Sequence, residues 1–246
     1  MKLFSTSRSA ASKADFSLLK TDMHSHLLPG IDDGSPDIET SLQLIRGMSA
    51  LGYTKLITTP HIMWDMYKNT REIILNKLDQ LREAVKAEGI AVEINAGAEY
   101  FLDDHVAELL RDKQPLLPIS GNMVLVEFSL AHPSMSLKEI LFEMQMQDYQ
   151  PIIAHPERYI YLQQNKEFYE ELKDIGCLFQ LNILSLSNHY GKSVHELAQY
   201  LIKKGYYDLV GTDLHHSRHL ESLSNPALGP GLQKLLESGK ILNPGL

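Results

Sequence analysis

Short runs of aliphatic and β-branched residues alternate along the chain with longer stretches whose apolar positions recur at helical spacing. Residues 18–24 read as a first strand. Ser35-Pro36-Asp37 reads as a helix start, with Ser35 at the N-cap, Pro at N1 and an acid in the first turn. Ile38, Leu42, Ile45, Met48 and Leu51 continue one apolar face until Gly52 stops it. Further strands are expected at 54–59, 90–96, 123–128, 151–154, 177–181 and 207–211. Helices are expected over 70–86 and 167–175, and after Ser-x-x-Glu capping boxes at Ser136 and Ser193, the second running to about Lys204. Near-continuous apolar strands separated by helices predict a parallel sheet covered by helices, and seven strands favour a barrel over an open sheet. No Gly- or Pro-rich linker divides the pattern. A single α/β domain over residues 18–246 is expected, preceded by a flexible leader over 1–17, whose stretch 5–15 is small and polar.

The composition narrows the partners. A chain of 246 residues with 43% hydrophobic and 22% charged residues is folded, not disordered. Its 31 acidic against 23 basic side chains, a net −8, argue against sequence-independent nucleic-acid binding. One cysteine, Cys177, excludes an internal disulfide framework and a cysteine metal cluster. No apolar run has the length of a secretory signal or a membrane helix, so a cytoplasmic place without membrane insertion is expected.

In α/β barrels the working residues sit at the carboxyl ends of the strands. Here those ends carry Asp22-Met23-His24-Ser25-His26 with Asp32-Asp33-Gly34, then Thr59-Pro60-His61, Gly97-Ala98-Glu99, Glu127, His155-Pro156-Glu157-Arg158 and Thr212-Asp213-Leu214-His215. Residues i and i+2 of a strand face the same way, so His24 and His26 can enter one site, as can Asp213 and His215. Imidazole mixed with carboxylate suits Zn, Mn or Fe. A single His at a strand end is more often a hydrogen-bonded rim residue; it is the convergence that points to metal. His105, His132, His189, His195, His216 and His219 lie outside the pattern and read as surface or rim residues.

Taken in order, DMHSH, DDG, TPH, GAE, AHPER and TDLHH resemble the PHP (polymerase and histidinol phosphatase) superfamily of metallo-phosphoesterases. More narrowly they resemble its branch of bacterial protein-tyrosine phosphatases of capsular and exopolysaccharide synthesis, over residues 21–218. The resemblance implies a distorted (β/α)7 TIM-like barrel with three metal ions, which by ligand type are Mn, Fe or Zn. It implies a first metal on His24, His26, Glu99 and Asp213, and a second on Glu99, Glu127 and His155, with Glu99 bridging. A third would lie on Asp33, His61 and His215, Asp33 being preferred to Asp32 because it directly precedes the Gly of DDG. Arg158 and Arg218 are the candidate phosphate contacts; Arg218 follows His215 by three residues, closer than in relatives. The implied partner is the phosphotyrosine tail of a membrane-associated bacterial tyrosine autokinase, with a homo-oligomer left open.

No side chain resembles an activated nucleophile, so direct attack on phosphorus by a metal-bridging hydroxide is expected, without a phosphoenzyme. Cys177 sits in an apolar strand without a phosphate loop, and neither a GxxxxGK[ST] loop nor a GxSxG elbow is present. The alternatives are a histidinol-phosphate or other small-molecule phosphatase, and a non-catalytic scaffold stabilised by metal. Trp64, Tyr67, Tyr159 and Tyr161 lie in strand-end loops, either to flank an aryl ring or to anchor the loops.

Overall fold

The structure, a computed structural model, describes residues 16–132 and 136–246. Of the expected leader, residues 1–15 lie outside the described residues. Phe16 is buried, its ring stacked 5.5 Å from that of Tyr53.

The chain runs β1 (Thr21–Asp22), α1 (Ile38–Ala50), β2 (Lys55–Thr58), β3 (His61–Ile62), α2 (Arg71–Ala87), β4 (Glu93–Ala96) and β5 (Glu99–Phe101). It continues through α3 (Asp104–Arg111), β6 (Met123–Glu127), α4 (Leu137–Met146), β7 (Gln150–Ala154), α5 (Glu167–Asp174) and β8 (Leu178–Asn182). It ends with α6 (Lys192–Lys204), β9 (Leu209–Gly211), α7 (Ser217–Leu223) and α8 (Gly229–Glu237).

All named strands pair in parallel, in the orders β1-β2-β4 and β3-β5-β6-β7-β8-β9. The two sheets are parts of one seven-staved ring. β2 continues into β3 across Thr59-Pro60, and β4 into β5 across Gly97-Ala98. Hydrogen bonds carry on over these breaks, from Gly97 N to Thr58 O (2.9 Å) and from Glu99 N to Pro60 O (3.1 Å). The kinks therefore place His61 and Glu99 at the start of new short strands, not beyond the end of old ones.

The ring closes between its first and last staves. Ser25 bridges Leu214 in parallel, with His26 N donating to Leu214 O (2.9 Å) and Asp213 N to His24 O (2.8 Å). At the opposite end of this seam, Asn243 is fully buried. Its amide donates to Thr21 O (2.9 Å) and Val210 O (2.7 Å) and accepts from Val210 N (2.9 Å), so one side chain does the work of a missing strand. The larger apolar core packs the sheet against the helices, and a smaller cluster (Met23, Ile57, Ile119, Leu125, Ile152, Ala154, Leu209) is drawn largely from the staves themselves.

Several local expectations are corrected. The N-cap of α1 is Asp37, whose carboxylate accepts from Thr40 N, while Ser35 is buried and donates to Asp37 O. Neither capping box forms. Ser136 has φ −87° and ψ 2°, outside the extended region from which a hydroxyl reaches back over the first turn, and its side chain does not cap α4. Ser193 is already inside α6, which starts at Lys192 behind Gly191. Helices α3, α7 and α8 were not foreseen.

Candidate metal centre

All nine expected ligand side chains meet at the strand ends. His24, His26, Glu99, Glu127, His155 and Asp213 are buried, His61 and His215 half-buried, and Asp33 exposed. Asp33, His61, Glu99, Glu127, His155, Asp213, His215 and Arg158 line a cavity of about 230 Å³ that opens past Met63, Met66, Tyr67 and Leu130, while His24 and His26 are fully buried and outside its lining.

The local backbone explains how these side chains turn inward. His155 has φ +33° and Asp213 φ +51°, left-handed conformations that non-glycine residues adopt at a cost and that recur at functional sites. Asp213 and His215 therefore do not face together by strand alternation, because β9 ends at Gly211; the turn at Asp213 brings them together. Gly34 is required by close approach. A Cβ there would lie 2.2 Å from His26 O, so the DDG turn can lie against the His26 backbone only with glycine.

Both residues of the Asp pair have places. Asp32 Oδ2 accepts from His26 Nδ1 (2.8 Å) and from His61 N (3.1 Å), and its other oxygen accepts from Gly34 N. Asp33 Oδ1 instead faces His61 Nε2 (3.4 Å) and His215 Nε2 (3.5 Å). His24 Nδ1 likewise donates to Gln180 Oε1 (2.9 Å), and His215 Nδ1 to Asp213 O (2.9 Å). Each of these contacts fixes the proton on Nδ1 and leaves the Nε2 lone pair pointing into the site, as ligand histidines require. Gln180 and Asp32 were missed as positioning groups: a Gln inside an apolar strand was the available signal for one, and the doubled acid for the other.

At the centre, Glu99 Oε2 lies 3.2 Å from His24 Nε2, 3.2 Å from His61 Nδ1 and 3.5 Å from His26 Nε2, and Oε1 lies 3.3 Å from His155 Nε2. Glu127 Oε1 is 3.1 Å from His61 Nδ1. Asp213 Oδ1 faces His24 (3.3 Å) and His26 (3.4 Å), and the Nε2 atoms of those two histidines are 3.4 Å apart. Despite the proximity, both Glu99 oxygens, Glu127 Oε1, His61 Nδ1 and His155 Nδ1 are buried without an aligned hydrogen-bond partner. Buried polar atoms are normally paired, so orphaned donors and acceptors that crowd together mark a ligand shell, and the site fits metal ions.

The potential ligand atoms form four overlapping groups: His26/Asp33/His61/His215, His24/His26/Asp213, His24/Glu99/His155 and His61/Glu99/Glu127. Burial would lower the pKa of His24, but the Glu99 and Asp213 carboxylates outweigh it and raise it to about 9. For Glu99 the order reverses: burial raises its pKa, and the surrounding histidines, His24 first, pull it well below the usual range.

Arg158 is at the cavity and Arg218 is not. Arg158 Nη1 donates to Asp213 Oδ2 (2.8 Å), not to Glu157, which is buried and accepts from Asn182 N and Tyr207 Oη. Arg218 is exposed on α7 and outside the cavity lining. Of the loop aromatics only Tyr67 lines the cavity, stacked 5.6 Å from His61. Tyr159 is buried, stacked on Phe128 and donating to Ala154 O; Tyr161 donates to Ser129 O; Trp64 stacks on His105. These three anchor loops. Cys177 is buried, which pushes its thiol up to about 12. No helix among the described residues is long and apolar enough to cross a membrane.

The fold is that of a PHP-like α/β barrel. The chain belongs to the capsular polysaccharide synthesis CpsB/CapC family, whose model it matches over residues 20–229. It is 30% identical to the tyrosine-protein phosphatase CpsB of Streptococcus pneumoniae over 201 residues, covering 79% of this chain and 82% of that one. It is similar to a crystal structure from the pair YwqE of Bacillus subtilis and CpsB of Streptococcus pneumoniae, described as metal-dependent tyrosine phosphatases. The TM-score is 0.78 and the identity 26%, over 92% of this chain and 90% of that one. The histidinol phosphate phosphatase of Lactococcus lactis, solved with zinc, histidinol and phosphate, shares the fold at TM-score 0.53 and 15% identity, over 94% of both chains.

Proposed function

We propose that the protein is a metal-dependent tyrosine-protein phosphatase of capsular polysaccharide synthesis. The observation that carries this reading is the set of orphaned carboxylate and imidazole atoms of Glu99, Glu127, His61 and His155 lining one cavity beside an arginine. The assignment of ligands is His24, His26, Glu99 and Asp213 to one ion, Glu99, Glu127 and His155 to a second, and Asp33, His61 and His215 to a third. Manganese, iron and zinc all suit this nitrogen and oxygen set. Such ions, when bound, act as Lewis acids on a phosphoryl oxygen and lower the pKa of a coordinated water to about 7.

The chain's own residues do the rest. Arg158 has a planar fork of which only Nη1 is engaged in a described hydrogen bond, so its remaining N–H groups are free for the equatorial oxygens of a phosphoryl group. Tyr67, Met63, Met66 and Leu130 give the mouth an apolar wall suited to a phenyl ring. A tyrosine leaves as a phenolate with a pKa near 10, so it needs less proton donation than an alkyl alcohol, and the described cavity holds no separate strong acid. The partner is the phosphotyrosine tail of a membrane-associated tyrosine kinase, an extended segment able to thread into an open mouth.

The test is turnover of a phosphotyrosyl peptide against histidinol phosphate at equal metal loading, before and after EDTA. The proposal expects a higher kcat/KM for the peptide and loss of activity on chelation. A large preference for histidinol phosphate, or turnover that survives metal removal, would overturn it.

A further inference from the structure

The free edge of Arg158 has to be aimed, and a long arginine on a strand-end loop carries much rotamer freedom. Three other elements surround it. Asp213, after β9, takes Nη1 on Oδ2 at 2.8 Å. Asn182, the last residue of β8, donates through Nδ2 to the same Oδ2 (3.0 Å) and to Tyr190 Oη (3.1 Å). Tyr190, in the loop before α6, has the guanidinium over its ring, with Cζ 4.8 Å from the ring centroid. His189 meets that ring edge-on at 4.7 Å between centroids.

The arrangement divides the labour on Asp213. Its Oδ2 is occupied by Arg158 and Asn182, while Oδ1 is left for His24 and His26. Arg158 is thus held on one edge by a carboxylate and on one face by an aromatic ring. The other edge remains for the cavity it lines. Asn182 ties ring and carboxylate into one frame, so the two restraints on the guanidinium cannot drift apart independently.

We propose that Tyr190 is a positioning residue that sets phosphate affinity by holding the Arg158 guanidinium with its free edge in the cavity. The inference rests on the phosphatase reading for its substrate, but its readout is phosphate binding itself. A cation over a tyrosine face is worth about 0.5 to 2 kcal/mol, which corresponds to about two- to thirty-fold in affinity.

The experiment uses the metal-loaded full chain and titrates inorganic phosphate calorimetrically into wild type, Tyr190→Leu, Tyr190→Phe, Arg158→Gln and the double variant Arg158→Gln/Tyr190→Leu. Metal content and thermal unfolding are measured on each sample, with KM and kcat on phosphotyrosyl peptide. Tyr190→Leu should weaken phosphate binding and raise KM by that factor with full metal content, and change kcat less. Tyr190→Phe, which keeps the ring, should restore most of the affinity. With Arg158→Gln already present, Tyr190→Leu should have no further effect on phosphate. Unchanged phosphate affinity in Tyr190→Leu, or an equal loss in the Arg158→Gln background, would overturn the inference. Should Tyr190→Leu not fold, Tyr190→His, with a smaller and weaker platform, takes its place. A wild type that binds phosphate but hydrolyses no phosphotyrosyl peptide refutes the functional proposal alone; Tyr190 is then judged on the binding data.

Discussion

Glu99→Gln removes a charge from the centre of the site while keeping its volume. The carboxylate is fully buried and has four imidazoles within 3.2–3.5 Å, which is the environment of a group that shares its charge with cations on more than one side. One unit charge acting on another about 4 Å away is worth about 4 kcal/mol at the effective dielectric of a protein site. At about 1.4 kcal/mol per decade this corresponds to about a thousand-fold in metal affinity, and more if two ions share the group. The expected outcome is a folded barrel that loses metal on dialysis and with it nearly all turnover of phosphotyrosyl peptide. Elemental analysis, thermal unfolding and activity on the same preparation separate these effects. His105→Ala is the control, since His105 stacks on Trp64 away from the cavity lining, and it should leave metal and activity nearly unchanged. Full metal content and turnover in Glu99→Gln would refute the reasoning, and so would an equal loss in both variants.

Arg158→Lys keeps the charge and loses the fork, so kcat/KM should fall about ten- to a hundred-fold at full metal content, the worth of one charge-assisted contact; wild-type rates would place the phosphate contact elsewhere. Asp22 is buried, and burial, outweighing its bonds from Thr212 and the charge of His24, raises its pKa from 3.8 to about 7. Between those values the folded chain binds the extra proton, so this group makes stability fall as pH rises through the window, by on the order of 4 kcal/mol. Denaturant midpoints of metal-free protein from pH 4 to 8 should therefore fall less steeply in Asp22→Asn than in wild type, and parallel curves would refute the point. Iodoacetamide applied to the native protein should leave turnover untouched because the Cys177 thiol is buried with a pKa raised to about 12; inactivation tracking alkylation would reopen cysteine chemistry.

Much of this arrangement is legible along the chain because barrel architecture converts order into position. The ends of alternating apolar runs deliver His24, His26, Glu127 and His155 to one rim, and no long-range information is needed to list them. What escaped is set by contacts between distant segments. His61 and Glu99 are themselves in the expected set, but the two- and three-residue strands β3 and β5 that they begin are too short for any periodicity and arise where the staves kink at Pro60 and Gly97. At Gly97 an added Cβ would lie 2.7 Å from Ile119 Cγ2, a packing constraint that neighbouring residues do not announce. The left-handed turns at His155 and Asp213 belong to residue types with no local need for them. Ser136 and Ser193 carried a valid capping pattern, but tertiary packing started α4 and α6 on other terms. Tyr190 gave no signal at all, since its meaning depends on Arg158 and Asp213, 32 and 23 residues away in the chain.

The clasp at Asn243 gives the molecule a history as well as a shape. The seam it seals joins the stave that leads to His24 and His26 to the stave that leads to Asp213 and His215. On the ribosome His24 and Asp213 are 189 positions apart in the sequence, and at about 5–20 residues per second residue 243 follows residue 24 by roughly 10–45 s. Through that interval the nascent chain carries a pair of histidines and a half-built acidic rim with nothing to close them. Asp213 and His215 are thus the last of the candidate ligands to be made, and Asn243 can seal the seam only after both are in place, so closure of the ring is a late step in the synthesis of this chain.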